Sequence, residues 1–316
     1  MNLTIVIPTY NREERLIRQL KSIFRQPLSK DVRIQILDNA SNYNIEEALK
    51  KNFTLNQVRQ ICLHVNPFNI GQALNLTIPF LYCETEWMWL LSDDDETADD
   101  ALEVILQDIH EYSGASMIKY SIIDSVPQED VIITNINDFI GYYRSGKHSS
   151  GDLIFMSNNL FNLKRLSNYL GSACEYSYTQ IAFLIPILKA LSEKNGNVKF
   201  SSNAIVRFIP PENNNGWVVS KRYINVSLGI ATVEDIDLEG VDFRLQQELL
   251  HVLTRDFSHG EIIKILFTEK DRKRRKHIYM KLFHIIFRKE SCKRWIYFCT
   301  FFFHYYCGIN LFKLKR

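Results

Sequence analysis

Trp87-Met88-Trp89-Leu90-Leu91-Ser92-Asp93-Asp94-Asp95-Glu96 is the stretch that decides how this chain folds. Five consecutive apolar residues suit a strand buried on both faces, as in a parallel sheet covered by helices. Four carboxylates then follow without a break. Acids in a row repel one another unless a cation neutralises them, and hard oxygen ligands favour Mg²⁺ or Mn²⁺. A divalent ion held by Asp93 and Asp95 can bridge a diphosphate and take up charge on a leaving group. The plainer alternative is an acidic start to the next helix, which the helix dipole favours. That accounts for Asp95 and Glu96, and leaves Asp93, directly at the strand end, unexplained.

Outward from this stretch the chain alternates apolar runs with helical spacing. Leu3–Ile7, Val32–Leu37, Val58–Val65 and Ala115–Tyr120 read as further strands. Leu16, Ile17, Leu20, Ile23 and Phe24 recur on one face of a helix that Asn11, with Glu14, can cap. Helices are expected around Ile45–Asn52, Ile70–Tyr82 and Thr97–Tyr112. This rhythm predicts an α/β fold with a mostly parallel sheet. Beyond it, Leu153–Phe161 and Val198–Phe208 read as strands, with a helix over Tyr178–Glu193 that Pro186 can kink. Pro210–Gly216 is turn-rich, and the pattern is helical from about Phe243.

In open parallel sheets, ligands sit beyond the carboxyl ends of strands. Two more polar segments lie at such ends. After the first strand comes Ile7-Pro8-Thr9-Tyr10-Asn11-Arg12 in place of the GxGxxG of a dinucleotide-binding protein. Pro8 stiffens the turn, while Thr9 and Tyr10 offer polar atoms and an aromatic face; a generic turn with a helix cap is the other reading. After the second strand, Asp38-Asn39-Ala40-Ser41 can read the edge of a base, or simply close the strand with an Asx turn.

In this order and spacing the segments resemble the donor half of the family-2 glycosyltransferases, over roughly residues 1–210. Ile7–Arg12 is similar to that family's opening motif, Asp38-Asn39-Ala-Ser to its base-reading stretch, and Asp93-Asp94-Asp95 to its DxD element. Asn69-Ile70-Gly71-Gln72-Ala73-Leu74-Asn75 resembles its Asn-x-Gly helix start. The triple acid after Trp-Leu-Leu-Ser most resembles the bacterial branch of surface-polysaccharide enzymes that includes abequosyltransferase-like members.

The resemblance implies a GT-A fold, a nucleotide-sugar donor, a Mn²⁺ or Mg²⁺ cofactor and inversion at the anomeric carbon. It implies that Pro8, Thr9, Tyr10, Asn11, Arg12, Asp38, Asn39, Asn69, Gly71, Asp93 and Asp94 line the nucleotide-sugar site, and that Asp93 and Asp95 hold the metal. Ser92 stands where the family often has Asp, so the DxD register is either Asp93/Asp95 or centred on Asp94. Gln72 or Leu74 stands where the family often has Arg. Inversion requires a general base beyond the acid segment. Glu175, in Gly171-Ser-Ala-Cys-Glu175-Tyr, is preferred, with Asp152 as the alternative. A helix-capping role is the plainer reading of Glu175. Ser157, Asn158 and Asn159 are candidate contacts to the acceptor sugar.

Composition adds bounds. The 316 residues are 46% hydrophobic and 23% charged, enough for a packed core. The net charge of +2 hides a tail, Lys270–Arg316, with 14 Lys and Arg against Asp271 and Glu290, so residues 1–269 carry about −10. Trp295–Phe312 has no formal charge and is rich in aromatic residues. Basic flanks around clustered aromatics suit an interfacial helix on an anionic membrane, ahead of a short span or a solvated terminal helix pair. The acidic body opposes nucleic-acid binding.

Six cysteines show no metal spacing, and Met1-Asn2 lead straight into a strand. A cytoplasmic enzyme on the inner face of the membrane, with a polyprenyl-diphosphate-linked glycan acceptor, is expected. The expected division is a catalytic domain over residues 1–215 (donor half 1–112, acceptor half 113–215), a linker and helical support over 216–269, and membrane-associating helices over 270–316. Two other functions are weighed. A nucleotidyltransferase would want a Gly-rich basic loop that Arg12 and Arg15 do not replace; a non-catalytic membrane assembly protein would not need Asp93–Asp95.

Overall fold

The computed structural model describes residues 3–29, 31–209, 229–255, 271 and 273. They fall into two compact units, one of residues 3–209 with Ile236–Val241, the other of residues 229–235 and 242–255. The Pro210–Gly216 turn, much of the expected 216–269 segment and the expected membrane helices, Trp295–Phe312 included, lie outside the described residues.

The first unit follows the apolar runs. β1 (Leu3–Thr9) leads through α1 (Glu13–Phe24) to β2 (Val32–Asp38), then through α2 (Ile45–Asn52) and α3 (Leu55–Arg59) to β3 (Ile61–Val65). α4 (Gln72–Asn75) and α5 (Ile78–Tyr82) return the chain to β4 (Trp87–Leu90). Every residue of β1 and β4 is buried, as expected of central strands. The ladder β3-β2-β1-β4 is parallel, with Thr9 opposite Asp38 and Val6 opposite Leu90. The buried face of α1, Leu16, Ile17, Leu20 and Ile23, closes the core over these strands.

The second half departs from a parallel pattern. β5 (Glu96–Thr97), α6 (Ala101–Glu111), β6 (Met117–Ile122), β7 (Val131–Ile133), α7 (Ile136–Arg144), α8 (Ser150–Ile154), β8 (Asn159–Asn162), α9 (Gly171–Glu175), α10 (Ile185–Ser192) and β9 (Val198–Arg207) follow in order. β8 lies antiparallel between β4 and β6, while β5 and β7 pair antiparallel with β9. Among the described residues the sheet is therefore mixed, with parallel pairing confined to the β3-β2-β1-β4 ladder and the β6–β9 pair.

Local chemistry explains the remaining differences. Thr54 and Gln57 form a capping box, so α3 occupies the place of an early third strand. Pro79 has no N–H to give the carbonyl of Asn75, and the expected 70–82 helix breaks into α4 and α5. Glu96-Thr97 pair with β9, so α6 begins at Ala101 rather than Thr97. The Ser149 hydroxyl accepts the Asp152 N–H and starts α8 where a strand was expected. Two 3₁₀ turns, with Gln180 at φ +64 between them, replace the first half of the 178–193 helix; Pro186 begins α10 instead of kinking it. Asn11 does not cap α1. It sits at φ +53, donates its N–H to Ser41 Oγ and accepts the Asn42 N–H through Oδ1, so it ties the β1 turn to the β2 turn.

The second unit holds α11 (Phe243–Thr254), capped by Asp242 through the Leu245 N–H, and packed on the 3₁₀ turn Thr232–Asp235.

One stripe of α1 is polar and enclosed. Ser22 pairs with Thr97, and Gln26 bonds Ala98 and Leu102. Gln19, in the same stripe, is 1% exposed, and neither end of its amide has a partner among the described residues. A buried amide without partners is destabilising. Gln19→Leu is expected to raise stability by about 1 kcal/mol in urea unfolding; a loss of that size would show that the amide is satisfied.

Candidate active site

The carboxyl ends of β1, β2 and β4 meet at one edge of the sheet. Continuing the β1–β4 register by three places sets Thr9 beside Asp93, and the Thr9 hydroxyl donates to Asp93 Oδ2 at 2.7 Å. Arg12, the residue just before α1, donates from Nη1 to Asp93 Oδ1 at 2.7 Å and to Asp94 Oδ2 at 2.8 Å. Arg15, one turn along, reaches the same Asp94 oxygen at 3.0 Å, and Arg18 donates to the Asp94 carbonyl at 3.1 Å. Burial lowers the Arg12 pKa, but the charges of Asp93 and Asp94 outweigh it and hold the guanidinium above its ordinary value. For Asp93, burial raises the pKa against the pull of Arg12 and Thr9.

These contacts correct the charge argument made from the sequence. Asp93 and Asp94 are neutralised from within the fold, by the arginines of α1. Asp95 differs. It is 3% exposed, accepts the Ser157 hydroxyl through Oδ2, and has no cationic partner among the described residues. Burial pushes its carboxyl up to about 7, against the opposing hydrogen bond from Ser157. A buried carboxylate whose charge no side chain balances is chemically suited to a hard divalent cation. Among the described residues no cluster of three or more acid, His or Cys side chains forms a self-sufficient metal cage.

On the other side of β1, both oxygens of Asp38 accept the Ser41 N–H, and Oδ1 also accepts the Ser41 hydroxyl: the Asx turn of the plainer reading. Asn39 is equally engaged. Its Oδ1 accepts from Asn66 Nδ2 and from the Ile70 N–H, and its Nδ2 donates to Asn69 Oδ1, which also accepts the Gly71 N–H. Asn75 joins through Asn66. Four asparagines thus fix the 66–71 loop, and Gly71 takes φ +86 at its exit, a conformation that favours glycine. Pro8 is buried in β1, whereas Tyr10 remains 42% exposed beside this edge with its ring free to meet a ligand.

The acceptor-half candidates separate. Asp152 belongs to an enclosed polar network. Its carboxylate accepts from Gln128, Asn158 and Tyr143, and its carbonyl accepts from Lys119 Nζ at 2.9 Å. Lys119 is fully buried and also donates to Asn158 Oδ1 and Asn159 Oδ1; burial lowers its pKa to about 8. Ser157, Asn158 and Asn159, expected to face an acceptor, are each 0% exposed and bonded within the fold. Glu175 ends α9 and is exposed, with no hydrogen bond or ion pair among the described residues. α9 packs on α5, and Cys174 Sγ contacts Thr77 Oγ1.

Sequence reasoning gave no partner at this edge to Arg15 or Asn75, which it named only in other connections, and missed Arg18 and Asn66. Arg15 and Arg18 were legible as cations at helical spacing from Arg12, complementary to the acid run.

Lys119→Met would leave three buried oxygens without their donor. It is expected to lower stability by about 3 kcal/mol in urea unfolding. A change under about 0.5 kcal/mol would mean the network is dispensable.

Comparisons with known proteins bear on the family and the fold. The model of glycosyl transferase family 2 matches residues 4–161. Abequosyltransferase RfbV of Salmonella typhimurium is 31% identical over 109 residues, which are 33% of this chain and 32% of that protein; the match spans about a third of the relative's length. Residues 1–349 of S. aureus TarS superpose with a TM-score of 0.56 at 14% identity, covering 98% of this chain and 92% of that one. The same TarS fragment in complex with UDP gives 0.59 at 16% identity, over 90% and 80% of the two chains. With UDP-GlcNAc it gives 0.57 at 13% identity, over 98% and 92%. Likeness at such identity is one of fold.

Proposed function

Because the chain belongs to glycosyl transferase family 2, we propose that it transfers a sugar from a nucleotide-sugar donor to a glycan acceptor, with inversion, in bacterial surface-polysaccharide synthesis. The observation that carries this reading is the convergence of Thr9, Arg12, Asp93, Asp94 and Asp95 at the carboxyl ends of β1 and β4. RfbV, the partial relative, is a sugar transferase by name, and the TarS fragment of like fold is a complex with UDP and with UDP-GlcNAc.

In this proposal Tyr10 faces the base, the ordered Asn69–Gly71 backbone approaches the nucleotide, and Arg12 and Arg15 lie beside the diphosphate. Asp95, with Asp93 at its side, holds Mn²⁺ or Mg²⁺. When bound, such an ion offsets charge on the departing nucleoside diphosphate. Glu175 is the preferred base, because it is exposed and uncommitted whereas Asp152 is held in a structural network. A carboxylate in this role takes the acceptor hydroxyl's proton as that oxygen bonds the anomeric carbon. The bond from that carbon to the phosphate oxygen breaks on the opposite face, and its electron pair leaves with the diphosphate. The acceptor is proposed to be polyprenyl-diphosphate-linked, with residues 270–316 resting on the anionic cytoplasmic face of the membrane. Among the described residues no helix is long and apolar enough to cross a membrane.

Calorimetric titration of the full chain with UDP, GDP, CDP and dTDP, each with Mn²⁺ or with a chelator, tests the donor site. Metal-dependent binding of one of them is expected, and its loss in Asp95→Ala with the fold retained. Binding of none by the folded protein would overturn the reading. For the base, Glu175→Gln is expected to lower kcat by at least about 100-fold, the usual scale of a lost proton transfer. Full activity in that variant would remove Glu175 from the role.

A further inference from the structure

The loop between α8 and β8 runs directly behind the acid segment, and one residue in it touches that segment at both ends. Ser157 is fully buried. Its hydroxyl accepts the Ser92 N–H at 3.0 Å and donates to Asp95 Oδ2 at 2.5 Å. Its carbonyl accepts the Trp89 indole N–H at 2.7 Å. Trp89 is fully buried in β4, so Ser157 is anchored to the strand from which the acids emerge. Ser92 and Asp95 bracket Asp93 and Asp94. Thus one hydroxyl sets where the acid turn begins and where its last carboxylate points.

Few small side chains can do both. The hydroxyl accepts from a backbone amide while donating to a carboxylate, and its hydrogen rotates to suit. Alanine offers neither function. The loop is also stiff on its far side: Asn158 and Asn159 share Lys119, and Asn158 Nδ2 donates to the Tyr120 carbonyl at 2.9 Å. Ser157 therefore carries the rigidity of the β6–β8 pair to the acid turn. Since its hydroxyl is enclosed and used twice by the protein, it does not face an acceptor sugar.

We propose that Ser157 is the positioning residue of the donor site, fixing the Asp95 carboxylate in the one orientation in which it can share a divalent cation with a nucleoside diphosphate. This rests on the donor-site reading above. A ligand carboxylate oriented by such a hydrogen bond loses about 10-fold or more in metal affinity when the bond is removed.

The test is Mn²⁺ binding to the full chain, read from the free-ion paramagnetic resonance signal with saturating UDP, or with whichever nucleoside diphosphate the wild type binds. Thermal unfolding is followed in parallel. Ser157→Ala is expected to weaken Mn²⁺ by about 10-fold. Ser157→Thr, which keeps the hydroxyl, should return to within about 3-fold of the wild type, and Ser157→Cys, similar in size but a poorer donor, should resemble Ala. Equal Mn²⁺ affinity in the wild type and Ser157→Ala would overturn the proposal. So would Thr as weak as Ala with an unchanged unfolding temperature. Should Ala not fold, the Thr and Cys pair decides on the same criterion. A folded wild type that binds Mn²⁺ in the presence of none of the four nucleoside diphosphates fails at the donor site itself, and the proposal falls with it.

Discussion

Negative charge forced into the interior at the end of β4 is the condition to which the rest of this site answers. Trp87, Met88, Trp89 and Leu90 bury β4 on both faces, and the chain leaves the sheet as three consecutive aspartates. Asp93 and Asp95 stay enclosed, at 2% and 3% exposure. An ionised carboxylate in such a place is strongly unfavourable unless it is paired and hydrogen-bonded. The neighbours are arranged accordingly. β1 supplies the Thr9 hydroxyl, the start of α1 supplies Arg12 and Arg15, and the loop before β8 supplies Ser157.

These demands also explain the geometry of α1. Its apolar face must cover β1 and β2, and its first turn must bring Arg12 within reach of β4. Asn11 at φ +53 makes the sharp turn that allows both, held by Ser41 and Asn42 of the neighbouring turn. Asn39 does comparable work on the other side, where it binds three groups of the 66–71 loop. The edge of the sheet is thus held by hydrogen bonds within the fold, and a site ordered in advance carries a smaller ordering cost on binding. Charge is distributed unequally along the acid run. Asp94 is shared among arginines, whereas Asp95 keeps only neutral donors, so among the described residues the buried charge of Asp95 is the one no cation balances.

Much of the β3-β2-β1-β4 side was legible in the sequence because it is local. The strands β1, β2 and β4 are apolar runs, α1 has helical spacing, and the three polar segments follow strands. The parts that were not legible depend on partners far along the chain or on competition between local signals. β8 is four residues long, and its antiparallel place between β4 and β6 leaves no periodic trace. Thr54–Gln57 and Ser149–Asp152 are capping signals just ahead of the stretches Val58–Val65 and Leu153–Phe161, whose apolar content suggested strands. Pro79 was visible, yet its effect on the 70–82 helix was underweighted against hydrophobic spacing. The acids themselves were recognised, but their compensation was sought in a bound ion or a helix dipole, when Arg12 and Arg15 stood at the start of α1. Polar side chains near the site were expected to face ligands; in the structure Asn39, Asp152 and Ser157 are hydrogen-bonded within the fold.

The claim that α1 neutralises the acid turn is open to one direct measurement, a double-mutant cycle in urea unfolding with Arg12→Ala, Asp93→Asn and the pair, in the presence of a chelator. The account predicts a coupling of about 2 kcal/mol, since two groups in direct contact in one network do not act independently. Additive effects, within about 0.4 kcal/mol, would contradict it, and would mean that the buried charge of Asp93 is balanced by something other than Arg12.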